Sequence, residues 1–170
     1  MACRMVIIYD VENIKVPKGG DGYRVKNVDI IKISNFIKEK YPSLYVKEVA
    51  LLKVNNNINL QSFIGFLERN NILVKKREAK KKEVEGEYNG VKYTHKYEQG
   101  DMDAMIVEEI IREVGNSDHI VLLSGDGDMV SALKFAARMG VEVSVVSHEE
   151  NMSNYLKIFD HTFIHEIMEK

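Results

Sequence analysis

The chain has 170 residues, 45% of them hydrophobic and 29% charged, with a net charge of -2. This suits one soluble domain with a real core and excludes a general polycation, so a nucleic-acid role would need a local basic patch. Cys3 is the only cysteine, which excludes an internal disulfide and a multi-cysteine zinc site and fits a reducing cytoplasm.

Met5-Val6-Ile7-Ile8-Tyr9 predicts a first strand ending at Asp10, central in its sheet because both faces are apolar. That run is too short for a signal peptide, and no run approaches the roughly 20 apolar residues of a membrane span. Lys15 to Lys26, with one proline, three glycines and four basic residues, reads as a loop. Ile30, Ile33, Ile37 and Tyr41 recur at helical spacing and stop before Pro42. A strand within Leu44–Val54, a helix carrying Leu60, Phe63, Ile64 and Leu67, and a strand at Ile72–Val74 follow.

Lys75 to Gln99 breaks this rhythm. Six of the eight residues from Lys75 to Lys82 are basic. Asn89-Gly90 between β-capable flanks predicts a hairpin, inserted at about 78–98. After Gly100, the face Val107, Ile110, Ile111 and Val114 predicts a helix, and Ile120–Leu123 a buried strand that stops at Ser124-Gly125-Asp126-Gly127-Asp128. A helix from Val130, a strand at Val141–Val146, a short helix near Met152–Phe159 and a terminal β segment around Phe163 complete the pattern. The alternation implies an α/β domain with helices on both faces of a mainly parallel sheet.

In such sheets ligands bind at the carboxyl ends of the strands. Asp10 and Asp126 end two strands, Asp101 and Asp103 open one helix, and Asp128 opens the next. Singly, several have a capping explanation: Asp128 and Asp101 each suit an N-cap, Asp126 does not, and no helix is expected straight after Asp10. Together they bring acids from three segments to one edge. Such a cluster is stable only when spread in water, protonated or bridged by cations. Carboxylate oxygens suit Mg²⁺ or Mn²⁺, which can organise a phosphate and activate water for attack on phosphorus. Asn13 and Ser124 stand beside these acids as neutral hydrogen-bonding groups, and Gly125 and Gly127 leave room for a phosphate to approach backbone N–H groups. A phosphatase using Asp10 as nucleophile would need a second aspartate where Glu12 stands. His95, His148, His161 and His165 show no ligand spacing.

Four segments resemble the NYN domain, a branch of the PIN-like nucleases, and within it the LabA-like group. They are Ile7-Ile8-Tyr9-Asp10-Val11-Glu12-Asn13-Ile14, Gln99-Gly100-Asp101-Met102-Asp103, Val121 to Met129, and the closing Ser153, Leu156, Asp160 and Phe163. Departures are Gln99 for a common lysine, Met129 for an aromatic, and Glu12 and Asp101 as additional acids. The resemblance implies a single PIN-like three-layer α/β/α domain over 1–170. It also implies metal-dependent hydrolysis of RNA, with Asp10, Asp103, Asp126 and Asp128 as Mg²⁺ or Mn²⁺ ligands and Asn13 and Ser124 in support.

An RNA strand beside acids needs basic groups nearby. The candidates are Lys75, Lys76, Arg77, Lys80, Lys81, Lys82, Lys92 and Lys96, interleaved with Tyr88, Tyr93 and Tyr97, a pattern that suits single-stranded RNA. The alternatives are a solvated hairpin, or an arm that pairs two copies into a homodimer. No membrane partner is expected. A catalytically silent RNA- or protein-binding module with a regulatory role is the second reading of the whole chain.

Overall fold

Strand β1 (Arg4–Asp10) is buried at every position after Arg4, and its apolar residues divide between two cores. Met5, Ile7 and Tyr9 pack into one, Val6 and Ile8 into the other. That is the expected consequence of apolar residues at consecutive positions of a strand whose side chains alternate. The computed structural model describes residues 3–14, 27–43, 45–54, 58–78, 80–88, 91–99 and 102–169. The expected loop at 15–26, together with Asn89, Gly90, Gly100 and Asp101, lies outside them.

After β1 come α1 (Val11–Ile14), α2 (Asn27–Lys40), β2 (Tyr45–Val54), α3 (Ile58–Arg69) and β3 (Leu73–Glu78). Next are the hairpin strands β4 (Lys80–Tyr88) and β5 (Val91–Gln99), then α4 (Met102–Glu113), β6 (His119–Leu123) and α5 (Val130–Arg138). The chain closes with β7 (Glu142–Ser147), β8 (Asp160–Phe163) and α6 (Ile164–Met168). Six strands form one sheet in the order β3-β2-β1-β6-β7-β8, and every pairing in it is parallel. One core holds Ile30, Ile33 and Ile37 of α2, Ile64 and Leu67 of α3, and Ile164 and Ile167 of α6. The other holds Met102, Ile106 and Ile110 of α4 with Ala132, Leu133 and Ala136 of α5. The result is the expected PIN-like α/β/α sandwich. The sheet grows outward from β1 to β3, then the chain returns to place β6 against the other side of β1. Right-handed crossovers in opposite directions put their helices on opposite faces.

Four details correct the sequence expectations. A one-turn helix, α1, does follow Asp10. No α-helix forms over Met152–Phe159: a short 3-10 turn covers Glu149–Asn151 and irregular turns follow. The strand expected from Ile72 begins at Leu73 and runs on through the basic residues to Glu78. Finally, α4 buries Met102, Ile106, Glu109, Ile110 and Glu113 and leaves Ile111 exposed. Apolar spacing placed that helix but misjudged its face, because two glutamates are accommodated inside. Lys75 of β3 reaches Glu109, while Lys47 of β2 lies 2.6 Å from Glu113 and 3.6 Å from Glu109. Ser117 adds a hydroxyl to Glu113 at 3.1 Å. Buried carboxylates persist when paired and hydrogen-bonded, and these pairs fix α4 against the sheet.

Hairpin strands β4 and β5 form their own antiparallel sheet, with the ladder closing at Tyr88–Val91. The Asn-Gly signal therefore placed the hairpin correctly, though the strands run to 80–99.

Candidate active site

Asp10 ends β1, and Ser124 follows β6, on the two strands that flank the reversal of strand order. A reversal of this kind opens a crevice at the carboxyl ends of the strands. The sequence delivers Asp10 there by ending an unbroken apolar run with one acid. Asp10 is 4% exposed. Its Oδ1 accepts the backbone N–H of Asn13 at 3.2 Å, and its Oδ2 accepts the hydroxyl of Ser124 at 2.8 Å. The first bond caps α1, a role the sequence argued against. Burial raises the pKa of Asp10 from 3.8 to about 6. The bonds from Ser124 and Asn13 act the other way, and the charges of Asp103 and Asp126 raise it further.

Ser124 and Asn13 tie the two strand ends together. The Ser124 hydroxyl also accepts the N–H of Asp126 at 3.2 Å, and Asn13 Oδ1 accepts the N–H of Gly125 at 2.8 Å. Asp126, not Asp128, is the cap of the following 3-10 turn (Gly127–Met129): its side chain accepts the N–H of Asp128 at 3.0 Å. A 3-10 turn precedes α5, so the capping position moves two residues earlier than a direct strand-to-helix step would put it. Both glycines are required by packing. A Cβ on Gly125 would lie 2.4 Å from the carbonyl oxygen of Asn151 and 2.5 Å from Ser147 Oγ, and one on Gly127 would lie 2.6 Å from Ser153 Oγ. The N–H groups of Gly125, Asp126 and Asp128 all donate to side chains of the site, which fixes the path of the loop that carries the two acids.

Asp103 enters from the first turn of α4, the helix held by Glu109 and Glu113. Asp103, Asp126 and Asp128 each offer a carboxylate oxygen within 4.8 Å of the others'. Asp103 and Asp126 are half-buried and Asp128 is exposed. Asp10 stands apart from this trio, close enough to feel the charges of Asp103 and Asp126. At a few ångströms, like charges repel by roughly 4 kcal/mol at an effective dielectric of about 20. A divalent cation between them removes that repulsion. The donors are all hard carboxylate oxygens and one side is open to water, so the residues present fit Mg²⁺ or Mn²⁺. Glu12 lies exposed on α1.

The basic residues divide. Lys75 points at Glu109 and Lys76 Nζ lies 3.9 Å from Glu68, while Arg77 is exposed. Lys80, Lys81 and Lys82 fall on β4, and Lys92 and Lys96 on β5. Register places Lys81 opposite Glu98, Glu83 opposite Lys96, and Glu87 opposite Lys92, all on one face of the hairpin with Glu85. The other face carries Lys80, Lys82, Val84, Tyr88, Val91, Tyr93, His95 and Tyr97.

Sequence reasoning passed over several supporting residues. His119 is buried, with its Nε2 2.9 Å from Ser144 Oγ and its ring edge-on to Tyr41 at 4.6 Å. Burial lowers its pKa, and it is part of the sheet's far end. Asn151 donates its amide to the carbonyl of Asn13 at 3.2 Å, and His148 Nε2 lies 3.0 Å from the carbonyl of Ile14. Both brace α1, and neither follows a periodic signal. Of the closing motif, Ser153 covers Gly127, Leu156 is buried, and Asp160 accepts from Tyr41 and Lys40 at the far end of the sheet.

The NYN domain family model matches residues 4–167. A comparison with curated proteins gives no match. Among solved structures, a protein of unknown function, VPA0982 from Vibrio parahaemolyticus RIMD 2210633, superposes at a TM-score of 0.71 with 19% identity, over 95% of this chain and 91% of its own. That likeness shows the fold. Phosphofructokinase-2 from Escherichia coli, in complex with fructose-6-phosphate, gives a TM-score of 0.42 with 14% identity over 89% of this chain and 56% of its own. Among the described residues, no helix is long and apolar enough to cross a membrane.

Proposed function

The chain belongs to the NYN domain family, and we propose that it is a single-domain ribonuclease of the LabA-like group that hydrolyses single-stranded RNA with Mg²⁺ or Mn²⁺ in the cytoplasm. The observation that carries this is the convergence of Asp103, Asp126 and Asp128 beside the buried Asp10 at the reversal of strand order. Asp103, Asp126 and Asp128 would hold the ion. Asp10 closes the buried side of the acidic wall, oriented by Ser124 and Asn13. When bound, the ion supplies Lewis acidity that offsets phosphate charge and lowers the pKa of water. The chain then needs no Ser-His or Cys-His nucleophile.

The hairpin supplies the attraction that the acids lack. It starts two residues after β3 ends and leads, three residues after its own end, into the helix that bears Asp103. Its register favours the face with Lys80, Lys82, Tyr88, Tyr93 and Tyr97 as the RNA side. The opposite face sets three lysines against four glutamates and is not cationic. Basic groups interleaved with aromatics suit a single strand.

Cleavage of a single-stranded RNA in Mn²⁺, in EDTA, and by Asp126→Asn tests the proposal. Cleavage should appear with Mn²⁺, vanish with EDTA, and fall at least 100-fold in the variant, the loss expected when a group acting on the transition state is removed. Metal-dependent cleavage that survives in Asp126→Asn would come from a contaminant and would remove the assignment. The separate hairpin sheet favours one other reading, a silent binding module. Salt-sensitive RNA binding without cleavage would support it, and a dimer that needs the hairpin would make the hairpin a pairing arm.

A further inference from the structure

Tyr155 is a large aromatic side chain left 72% exposed, and it stands beside the acids. Its ring Cδ2 lies 3.7 Å from where a Cβ on Gly127 would be, and Gly127 separates Asp126 from Asp128. The turn that carries it is clamped to the acidic loop. Ser153 donates its N–H to the Gly125 carbonyl at 2.9 Å, and Leu156, fully buried, donates its own to the Ser153 carbonyl at 3.0 Å. The N–H of Tyr155 reaches Ser153 Oγ at 3.4 Å.

A single exposed apolar residue is ordinary. A large aromatic on a rigid turn, held beside the residues that would act on a phosphate, is a preformed surface. The hydrophobic core does not account for its position, since the neighbouring Leu156 fills the core side of the turn.

We propose that Tyr155 is the stacking platform for the nucleobase next to the phosphate that would be processed at Asp103, Asp126 and Asp128. This rests on the reading of the site as one for RNA. An acidic wall repels the backbone, so a neutral attraction is the one that helps close to it. Every base has a face to stack, so the contact is tolerant of sequence. Stacking is also insensitive to salt, unlike phosphate contacts made by lysines.

The test uses the full chain with Mn²⁺ and short single-stranded oligouridines, each carrying one fluorescent adenine analogue that is quenched on stacking. The wild type should quench the analogue at one position along the strand. Tyr155→Leu should lose that quenching and bind about tenfold more weakly, to the same degree at low and high salt, with its melting temperature unchanged. Tyr155→Phe should restore both. A Leu variant that binds and quenches like the wild type would overturn the proposal. Quenching that depends on Tyr155 without any cleavage would uphold it and overturn the nuclease reading alone. A wild type that cleaves, with no quenching at any position, would overturn the stacking alone, and one that neither binds nor cleaves would overturn both.

Discussion

Asp10 is buried beside two other acids, and the hydrogen bonds from Ser124 and Asn13 do not cover the cost of its charge. The consequence for stability has a definite sign. The folded pKa, about 6, lies above the ordinary 3.8, so the folded state binds more protons between those values and stability falls as pH rises through that window. The cost is absent below 3.8 and complete above about 6. Two pKa units correspond to roughly 3 kcal/mol at most. Metal-free Asp10→Asn should therefore be more stable than the wild type at pH 7 by about 1–3 kcal/mol. The advantage should disappear near pH 4 and shrink when Mn²⁺ saturates the wild type. Urea denaturation at the two pH values measures it; equal stabilities at pH 7 would mean that Asp10 carries no such cost. Gly125 provides the converse case. Gly125→Ala puts a methyl group 2.4 Å from a backbone carbonyl and should cost about 1–3 kcal/mol, visible as a lower melting temperature. Sequence showed Asp10 and Asp126 as strand-end acids. It did not show that both are caps, because that depends on a one-turn helix and a 3-10 turn too short to leave a periodic signal.

At the scale of elements, α4 connects stability to the site, since it carries Asp103 at one end and the buried Glu109 and Glu113 further along. Lys75→Ala leaves Glu109, 2% exposed, with Lys47 at 3.6 Å and Arg112 at 3.5 Å as its charge partners among the described residues. It should cost about 2–4 kcal/mol of stability, whereas Lys76→Ala, at a pair 3.9 Å apart on the surface, should cost less than about 1 kcal/mol. A melting temperature for Lys75→Ala equal to the wild type's would contradict the role given to that pair. The hairpin makes a different prediction. Replacing Lys80 and Lys82 together by alanine should weaken single-stranded RNA binding and reduce the logarithmic salt slope by about 1.4, from two phosphate contacts at roughly 0.7 each. Replacing Lys81 and Lys96 should leave the slope close to its original value. Equal effects from both pairs would remove the distinction between the faces. The hairpin was legible from Asn89-Gly90. Its two faces were not, because a run of basic residues looks uniform until register sets Glu98 against Lys81 and Lys96 against Glu83.

Across the whole molecule, the alternation of apolar strands and helices made the three-layer sandwich readable, since each expected strand of the main sheet has a counterpart in it. The order of strands was harder to see. Nothing local states that β6 returns to β1, and that return is what places Ser124 against Asp10 and brings the loop of Asp126 and Asp128 to the first turn of α4. The acids meet because of topology, and their mutual repulsion makes a cation the natural completion of the site. Crystals soaked in Mn²⁺ and measured for anomalous scattering test this most directly. A manganese peak should appear among the carboxylates of Asp103, Asp126 and Asp128 and be lost in Asp126→Asn. A soaked crystal with no peak among these carboxylates, or with its peaks elsewhere and the trio empty, would contradict a cation as the completion of the site.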